Sequence, residues 1–214
     1  MATQLTAVEA RVLGCLIEKE LATPDYYPLT LNALVNACNQ TSNRSPVLAL
    51  EELDVQDALD TLARKRLAYR SAEGSRALKY CHNVPAVLHL EPVELAMLAE
   101  LLLRGPQTLG ELRGRVERMA PLESLEEAEE KVQGLLEREE PLVVRLPRQP
   151  GRKEQRIAQT MTELPAAEDE GAAASVLITG SSERIAALEE EVALLRSQLE
   201  ELSQRFDRFQ AEFE

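Results

Sequence analysis

An internal repeat constrains the fold of this chain more than any other feature of its 214-residue sequence. Residues 8–17 align with residues 93–102, and apolar side chains recur at helical spacing in both segments. Residues 30–34 (TLNAL) align with residues 108–112 (TLGEL) at a smaller offset, which indicates a shorter connection in the second copy. The repeat predicts two small helix-rich lobes of the same construction.

A third helix and a β-hairpin follow in each copy. The apolar stripe of the third helix, at i, i+4 and i+7, consists of Val55, Leu59 and Leu62 in the first copy and of Ala128, Val132 and Leu135 in the second. After each stripe the sequence alternates between apolar and polar residues around a turn, at residues 73–75 and 149–151. Three helices and then a hairpin, twice over, predict a mainly α (α+β) fold with two tandem winged-helix domains.

The sequence divides into four predicted parts. We place winged-helix domain 1 at residues 1–85 and winged-helix domain 2 at residues 86–163. Residues 164–181 are mostly small and acidic, as expected of a linker. Within them, the apolar run at residues 175–179 either docks on a lobe or leads into the next helix. Residues 182–214 are predicted to form a coiled-coil dimerisation helix.

The coiled-coil prediction depends on apolar residues whose spacing alternates between three and four. Arg184–Glu189 and Glu191–Arg196 would attract each other across the seam, which favours a parallel two-stranded homodimer. The alternative is an amphipathic helix that folds back on its own lobes. The predicted dimerisation residues are Ile185, Leu188, Val192, Leu195, Leu199, Leu202, Phe206, Phe209 and Phe213.

Three short motifs resemble one known family. The sequence LNALVNACNQTSNRSPV at residues 31–47 resembles the bacterial YceH family, and RGPQT at residues 104–108 and LPR at residues 146–148 are similar to it as well. The resemblance covers roughly residues 5–160, and the first motif is specific enough to make chance a poor explanation. It implies tandem winged helices and no assigned activity.

Side chains suited to catalysis are sparse in this sequence. Cys81 and His82 are adjacent but have no second pair of ligands nearby, so a structural role is favoured over a metal site. Residues 105–110 have two glycines at phosphate-loop spacing, yet Glu111 and Leu112 stand where Lys and Ser or Thr are required. We therefore expect a protein that is not an enzyme and that holds no cofactor or metal ion.

The cysteines and the hydropathy pattern indicate a cytoplasmic protein. The three cysteines are an odd number without a CxxC pair, which argues against a disulfide framework and fits a reducing compartment. The N-terminal residues do not have the pattern of a secretory signal peptide. Apolar stretches are all too short to span a bilayer.

The distribution of charge bears directly on a nucleic-acid partner. The net charge is −13, but residues 165–214 carry 12 acidic and 4 basic side chains, against 10 and 9 over residues 1–90. In a winged helix that reads DNA, the third helix enters the major groove. Here that helix begins with acidic residues in both copies, which would repel phosphate. Glu51, Glu52, Asp54, Asp57 and Asp60 are the acidic residues of the first copy, and Glu123, Glu126, Glu127, Glu129 and Glu130 those of the second.

Basic side chains concentrate in the wings. There they would either clamp phosphates without reading sequence or protect exposed strand edges from aggregation. Arg44 lies in the polar loop at residues 39–46, which is interpreted as a structural turn or, alternatively, as the support of an exposed arginine anchor. The candidate binding residues are Arg44, Arg70, Arg76, Lys79, Arg145, Arg148, Arg152, Lys153 and Arg156.

Two functions remain open from the sequence. The first is a DNA-associated regulatory protein that contacts duplex DNA weakly and mainly non-specifically through basic wings, as a homodimer. The second is a protein-interaction scaffold whose winged helices dock other proteins without direct DNA contact, a role that acidic third helices suit better. Neither reading involves a membrane or a small-molecule ligand.

Overall fold

The computed structural model describes residues 4–71, 77–149 and 154–163, and all of them belong to one compact unit, Met1–Leu164. The fold is α+β, in agreement with the predicted class. The predicted linker and coiled coil, residues 164–214, lie outside the described residues, as do the hairpin tips at residues 72–76 and 150–153.

Besides a short 3-10 helix (Pro24–Tyr26), the first lobe contains three α-helices and three short strands. They are α1 (Ala7–Ala22), β1 (Leu29–Thr30), α2 (Leu31–Cys38), α3 (Glu52–Arg64), β2 (Ala68–Ser71) and β3 (Lys79–His82). A short helix that the sequence did not predict, α4 (Val84–Leu88), then connects the lobes, and the predicted boundary between residues 85 and 86 falls within it.

The second lobe repeats the three α-helices and three strands of the first in the same order. It consists of α5 (Pro92–Arg104), β4 (Gln107–Thr108), α6 (Leu109–Val116), α7 (Leu125–Leu136), β5 (Val143–Arg145) and β6 (Arg156–Gln159). Each lobe has one antiparallel three-stranded sheet with the same topology, β1-β3-β2 in the first and β4-β6-β5 in the second. The last strand is therefore central, and the strand that follows the third helix lies at an edge.

Local sequence signals define where the helices begin. The sequence TAVE at residues 6–9 has the pattern of a capping box, and α1 begins with one: Glu9 N–H donates to Thr6 Oγ1, and Glu9 Oε2 accepts from Thr6 N–H. Thr30 and Thr108 hold corresponding positions in the repeat, and each caps the helix that follows it. Such a side chain satisfies main-chain N–H groups that the first helical turn leaves without partners.

A single apolar core runs through both lobes, because α1 packs against α5. Gly14 lies at this contact, where a Cβ atom would come within 2.9 Å of Leu103 Cγ and 3.2 Å of Leu102 Cβ. The close approach of the two helices therefore requires glycine at this position. Main-chain pairing adds a second junction, where Leu5 N–H donates to Met161 O. The two lobes are thus joined at two separate places.

Candidate nucleic-acid interface

The exposed faces of the two third helices are acidic, as the sequence predicted. Asp57 and Asp60 of α3 and Glu126 and Glu130 of α7 are exposed, whereas Val55 and Val132 of the apolar stripes are buried. Some other acidic residues have local structural roles; the Asp54 carboxylate, for example, accepts the Glu51 N–H at the start of α3. A phosphate backbone that approached either helix would meet an array of carboxylates.

The second lobe has a groove of about 880 Å³ between α7 and the segment that leads into α5. Two of its basic side chains are bound within the lobe: Lys131 Nζ lies 2.7 Å from Glu91 Oε2, and Arg138 donates to Leu88 O. Six glutamates line the groove, and although Lys131 compensates Glu91 and Arg145 compensates Glu129, acidic side chains remain in excess. Its lining residues are His89, Glu91, Glu94, Glu126, Glu129, Glu130, Lys131, Gln133, Gly134, Glu137 and Arg138.

In the first lobe, the candidate residues Arg70 and Lys79 lie in the hairpin, and other basic residues lie at and just after the end of α3. Arg64, Arg66 and Arg70 are exposed, and Lys79 is half-buried. Arg70 Nη2 lies 3.7 Å from Asp60 Oδ1, and both side chains are more than half exposed, so this ion pair is loose. Arg76 lies outside the described residues.

In the second lobe, the candidate wing residues are less available than the sequence suggested. Arg145 forms an ion pair with Glu129 of α7, and Arg156 is half-buried. Arg148 is exposed. Arg152 and Lys153, which contribute much of the predicted positive charge, lie outside the described residues.

Arg44 is buried, which corrects the hypothesis of an exposed anchor. Its guanidinium donates to Ala37 O at the C-terminal end of α2, to Gln40 Oε1 and, over 2.6 Å, to Glu18 Oε2. A guanidinium at this position compensates carbonyls that the last helical turn leaves without partners. The alternative interpretation of the loop, as a structural turn, agrees with these contacts.

Sequence reasoning missed a charged cluster at the junction of the lobes, in which Glu18, Arg44 and Glu100 are buried and Arg118 is partly exposed. We call it the inter-lobe cluster: Glu18 of α1, Asn43 and Arg44 of the loop, Glu100 of α5 and Arg118. Arg118 Nη2 lies 2.5 Å from Glu18 Oε1 and 2.8 Å from Glu100 Oε1. Asn43 Nδ2 donates to the same two oxygen atoms, over 3.1 and 3.0 Å. The polar loop at residues 39–46 of the first lobe, which we call the motif loop, is thereby attached to the second lobe.

The Glu18 carboxylate of the inter-lobe cluster is ionised because arginines contact it. Burial alone would raise the pKa of Glu18, but the hydrogen bond and the charge of Arg44 outweigh it and lower this pKa to about 2. Glu18 and Glu100 are both almost fully buried. One signal in the sequence marked them: each is a charged residue inside a long apolar helical stretch, where an unpaired charge would be costly.

The cysteines and His82 also have identifiable surroundings. The thiols of Cys15 and Cys38 are buried and hydrogen-bonded to each other, and this contact together with burial raises the pKa of Cys38. His82 Nδ1 accepts the Val84 N–H, and its other ring nitrogen contacts the Glu20 carboxylate. In the part of the chain that the structure describes, no group of three or more His, Cys, Asp or Glu side chains is arranged to hold a metal ion.

The sequence matches the family model described as "Protein of unknown function, DUF480" over residues 5–152. The chain therefore belongs to this family of uncharacterised bacterial proteins, and the resemblance found in its motifs is confirmed as one to a family without an assigned function. Among the helices described here, none is both long enough and apolar enough to cross a membrane.

Several relatives are similar over nearly the whole length of the chain. A UPF0502 protein of Geobacter metallireducens is 57% identical and covers 100% of both chains, and one of Geotalea uraniireducens has the same identity and coverage. A UPF0502 protein of Pelobacter propionicus is 51% identical over 98% of each chain.

Proposed function

We propose that this chain is a tandem winged-helix protein that docks partner proteins, and that the acidic surface of the second lobe binds a basic segment of such a partner. The order of elements in each lobe supports the winged-helix part of the proposal: three helices, a short strand between the first two, and a terminal hairpin.

One observation carries the docking function. Six glutamates line the groove beside α7. In a DNA-binding winged helix, this third helix would be the one that reads bases. The basic residues of the groove, Lys131 and Arg138, are already bound to Glu91 and Leu88 O. Charge complementarity of this kind favours a cationic partner and accelerates its association.

The proposal is tested with the full-length protein and a fluorescein-labelled lysine- and arginine-rich nonapeptide. We expect salt-sensitive binding that Glu130→Lys weakens by about threefold or more at low salt, since charges on an interface act mainly through long-range attraction. Asp25→Lys makes the same change of charge at an exposed position of the first lobe and serves as the matched control. Equal affinities for the two variants would contradict docking at α7.

A second candidate function is weak, non-specific contact with duplex DNA. It is favoured by one observation, the exposure of Arg64, Arg66 and Arg70 on one lobe and of Arg148 on the other. Anisotropy of labelled random duplex DNA across a salt series tests it: a triple substitution of Arg64, Arg66 and Arg70 by Gln should reduce both the affinity and the salt slope. An unchanged slope would rule out contact through these residues.

A further inference from the structure

The first lobe exposes one edge of its sheet. Strand β2 pairs with β3 on one side, and no described strand pairs with its other side. The register fixes which residues face outward. Leu67 O accepts the Asn83 N–H, so Tyr69 and Ser71, which follow at steps of two, direct their main-chain groups toward β3. The main-chain groups of Ala68 and Arg70 therefore point away from the sheet; Ala68 is buried, whereas Arg70 is exposed and can pair with another chain.

A groove of about 800 Å³ lies between this edge and α3. Two carboxylates, Asp57 and Asp60, line it from the exposed face of the helix. Arg64 and Arg70 lie in the same groove, so positive and negative side chains share it. An extended chain placed in the groove would meet main-chain donors and acceptors on one side and charged side chains on the other, which is the arrangement of β-strand addition sites.

The second lobe provides an internal comparison. Leu142 O accepts the Thr160 N–H there, which puts the outward-facing residues of β5 at Val143 and Arg145. Arg145, however, is held by Glu129 of α7 in a tight ion pair. The corresponding pair of the first lobe, Arg70 with Asp60, is 3.7 Å apart, with side chains 59% and 57% exposed. The first-lobe pair is therefore much easier to separate.

We propose that β2 accepts an extended segment of a partner protein as an additional strand, with a basic side chain of that segment facing Asp57 and Asp60. Main-chain hydrogen bonds to Arg70 contribute to the affinity, and the two carboxylates select the side chain. Exposed strand edges are normally shielded, because they otherwise pair with other chains. This site is separate from the acidic surface of α7, so either can exist without the other.

The test uses the full-length protein and a labelled hexapeptide of alternating valine and lysine. Arg70→Pro removes one outward N–H at an edge strand, where proline is otherwise tolerated, whereas the control Arg70→Ala loses the side chain and keeps the N–H. We expect Arg70→Pro to weaken binding about tenfold and Arg70→Ala to leave it unchanged or improve it. Asp57→Asn should weaken binding as well.

Two further measurements separate strand addition from simple charge attraction. Both are made in the Glu130→Lys protein, which weakens the attraction of the lysines to the α7 groove. There the unmodified hexapeptide should still bind, and the same hexapeptide with N-methylated valines, which cannot pair along its main chain, should lose binding. Equal binding of the methylated peptide, or equal effects of Arg70→Pro and Arg70→Ala, would overturn the proposal. So would a change in sedimentation of the peptide-free protein caused by Arg70→Pro alone, because the edge would then belong to a second copy of this chain.

Discussion

Buried charged side chains stabilise the fold of this protein. Because they are buried, their contribution to the free energy of unfolding is large enough to measure. Glu18 is in contact with Arg44, Arg118, Asn43 and Lys19, and all of these contacts favour its ionised form. Removing one partner of a buried ion pair leaves the other charge uncompensated, which typically costs several kcal/mol. The inter-lobe cluster is therefore expected to dominate the response of the lobes to acid.

The first prediction concerns pH. Because the folded protein lowers the pKa of Glu18 to about 2, its ionisation stabilises the fold above the unfolded pKa near 4.5, and this stability is lost as the pH falls toward 2. Its size is on the order of 3 kcal/mol. Glu18→Gln should be destabilised near pH 6, and its free energy of unfolding should approach that of the wild type near pH 2. Urea titrations at several pH values measure this, and a gap between the two proteins that does not change with pH would contradict it.

Among the secondary-structure elements, α1 and α5 have the strictest packing requirements. Residues 9–18 of α1 and 95–103 of α5 are buried on every side, so neither helix has the exposed polar face of an ordinary surface helix. The two helices form the common core of both lobes. The sequence marks this as well, because each helix carries a run of apolar residues that is too continuous for a single buried stripe.

The second prediction tests that packing. Gly14→Ala gains helix propensity but places Cβ against Leu103, and we expect a net loss of about 1 kcal/mol in the free energy of unfolding, since overpacking costs about 1–3 kcal/mol. Gly14→Val should lose more. Gly114→Ala is the control, because nothing lies within 4 Å of the added Cβ and the residue is exposed in α6. It should gain up to about 1 kcal/mol. Urea denaturation of the three variants measures these changes. A similar gain in the free energy of unfolding for Gly14→Ala and Gly114→Ala would disprove the close approach of the two helices.

At the same scale, the sequence predicts the helices and sheets better than the contacts between lobes. The capping residues, the apolar stripes and the alternating hairpin arms are local signals, and each appears where it was expected. The burial of Arg44 was not predictable in this way, because it depends on Glu18 and Gln40 approaching from elsewhere in the chain. Arg145 likewise looked free until the structure placed Glu129 beside it. Side chains of this kind are paired by tertiary contacts that no periodicity encodes.

In the molecule as a whole, the two lobes share one core and are joined by the inter-lobe cluster. Ser45 N–H also donates to Leu103 O, so the motif loop is bound to the second lobe by its main chain as well as by Asn43. An isolated lobe would expose the buried faces of α1 or α5 to water, at a cost of about 25 cal/mol per Å².

The third prediction is that the two lobes unfold together. Hydrogen exchange followed by mass spectrometry should give peptides of α3 and of α7 the same free energy of opening, because neither lobe retains its core when the other is lost. Arg118→Ala should lower both values equally. Separate values for the two helices, with only one responding to Arg118→Ala, would show that the lobes are independent.

The bond between Leu5 N–H and Met161 O places the beginning of the first lobe beside the end of the second. A pulling force applied at residues 5 and 161 would meet this junction before it reached α1, α5 or either sheet. The load would fall first on this main-chain bond, and the remaining structure would carry tension only after it had broken. For a force applied at these two residues, the bond between the two ends of the unit is the first contact to bear the load.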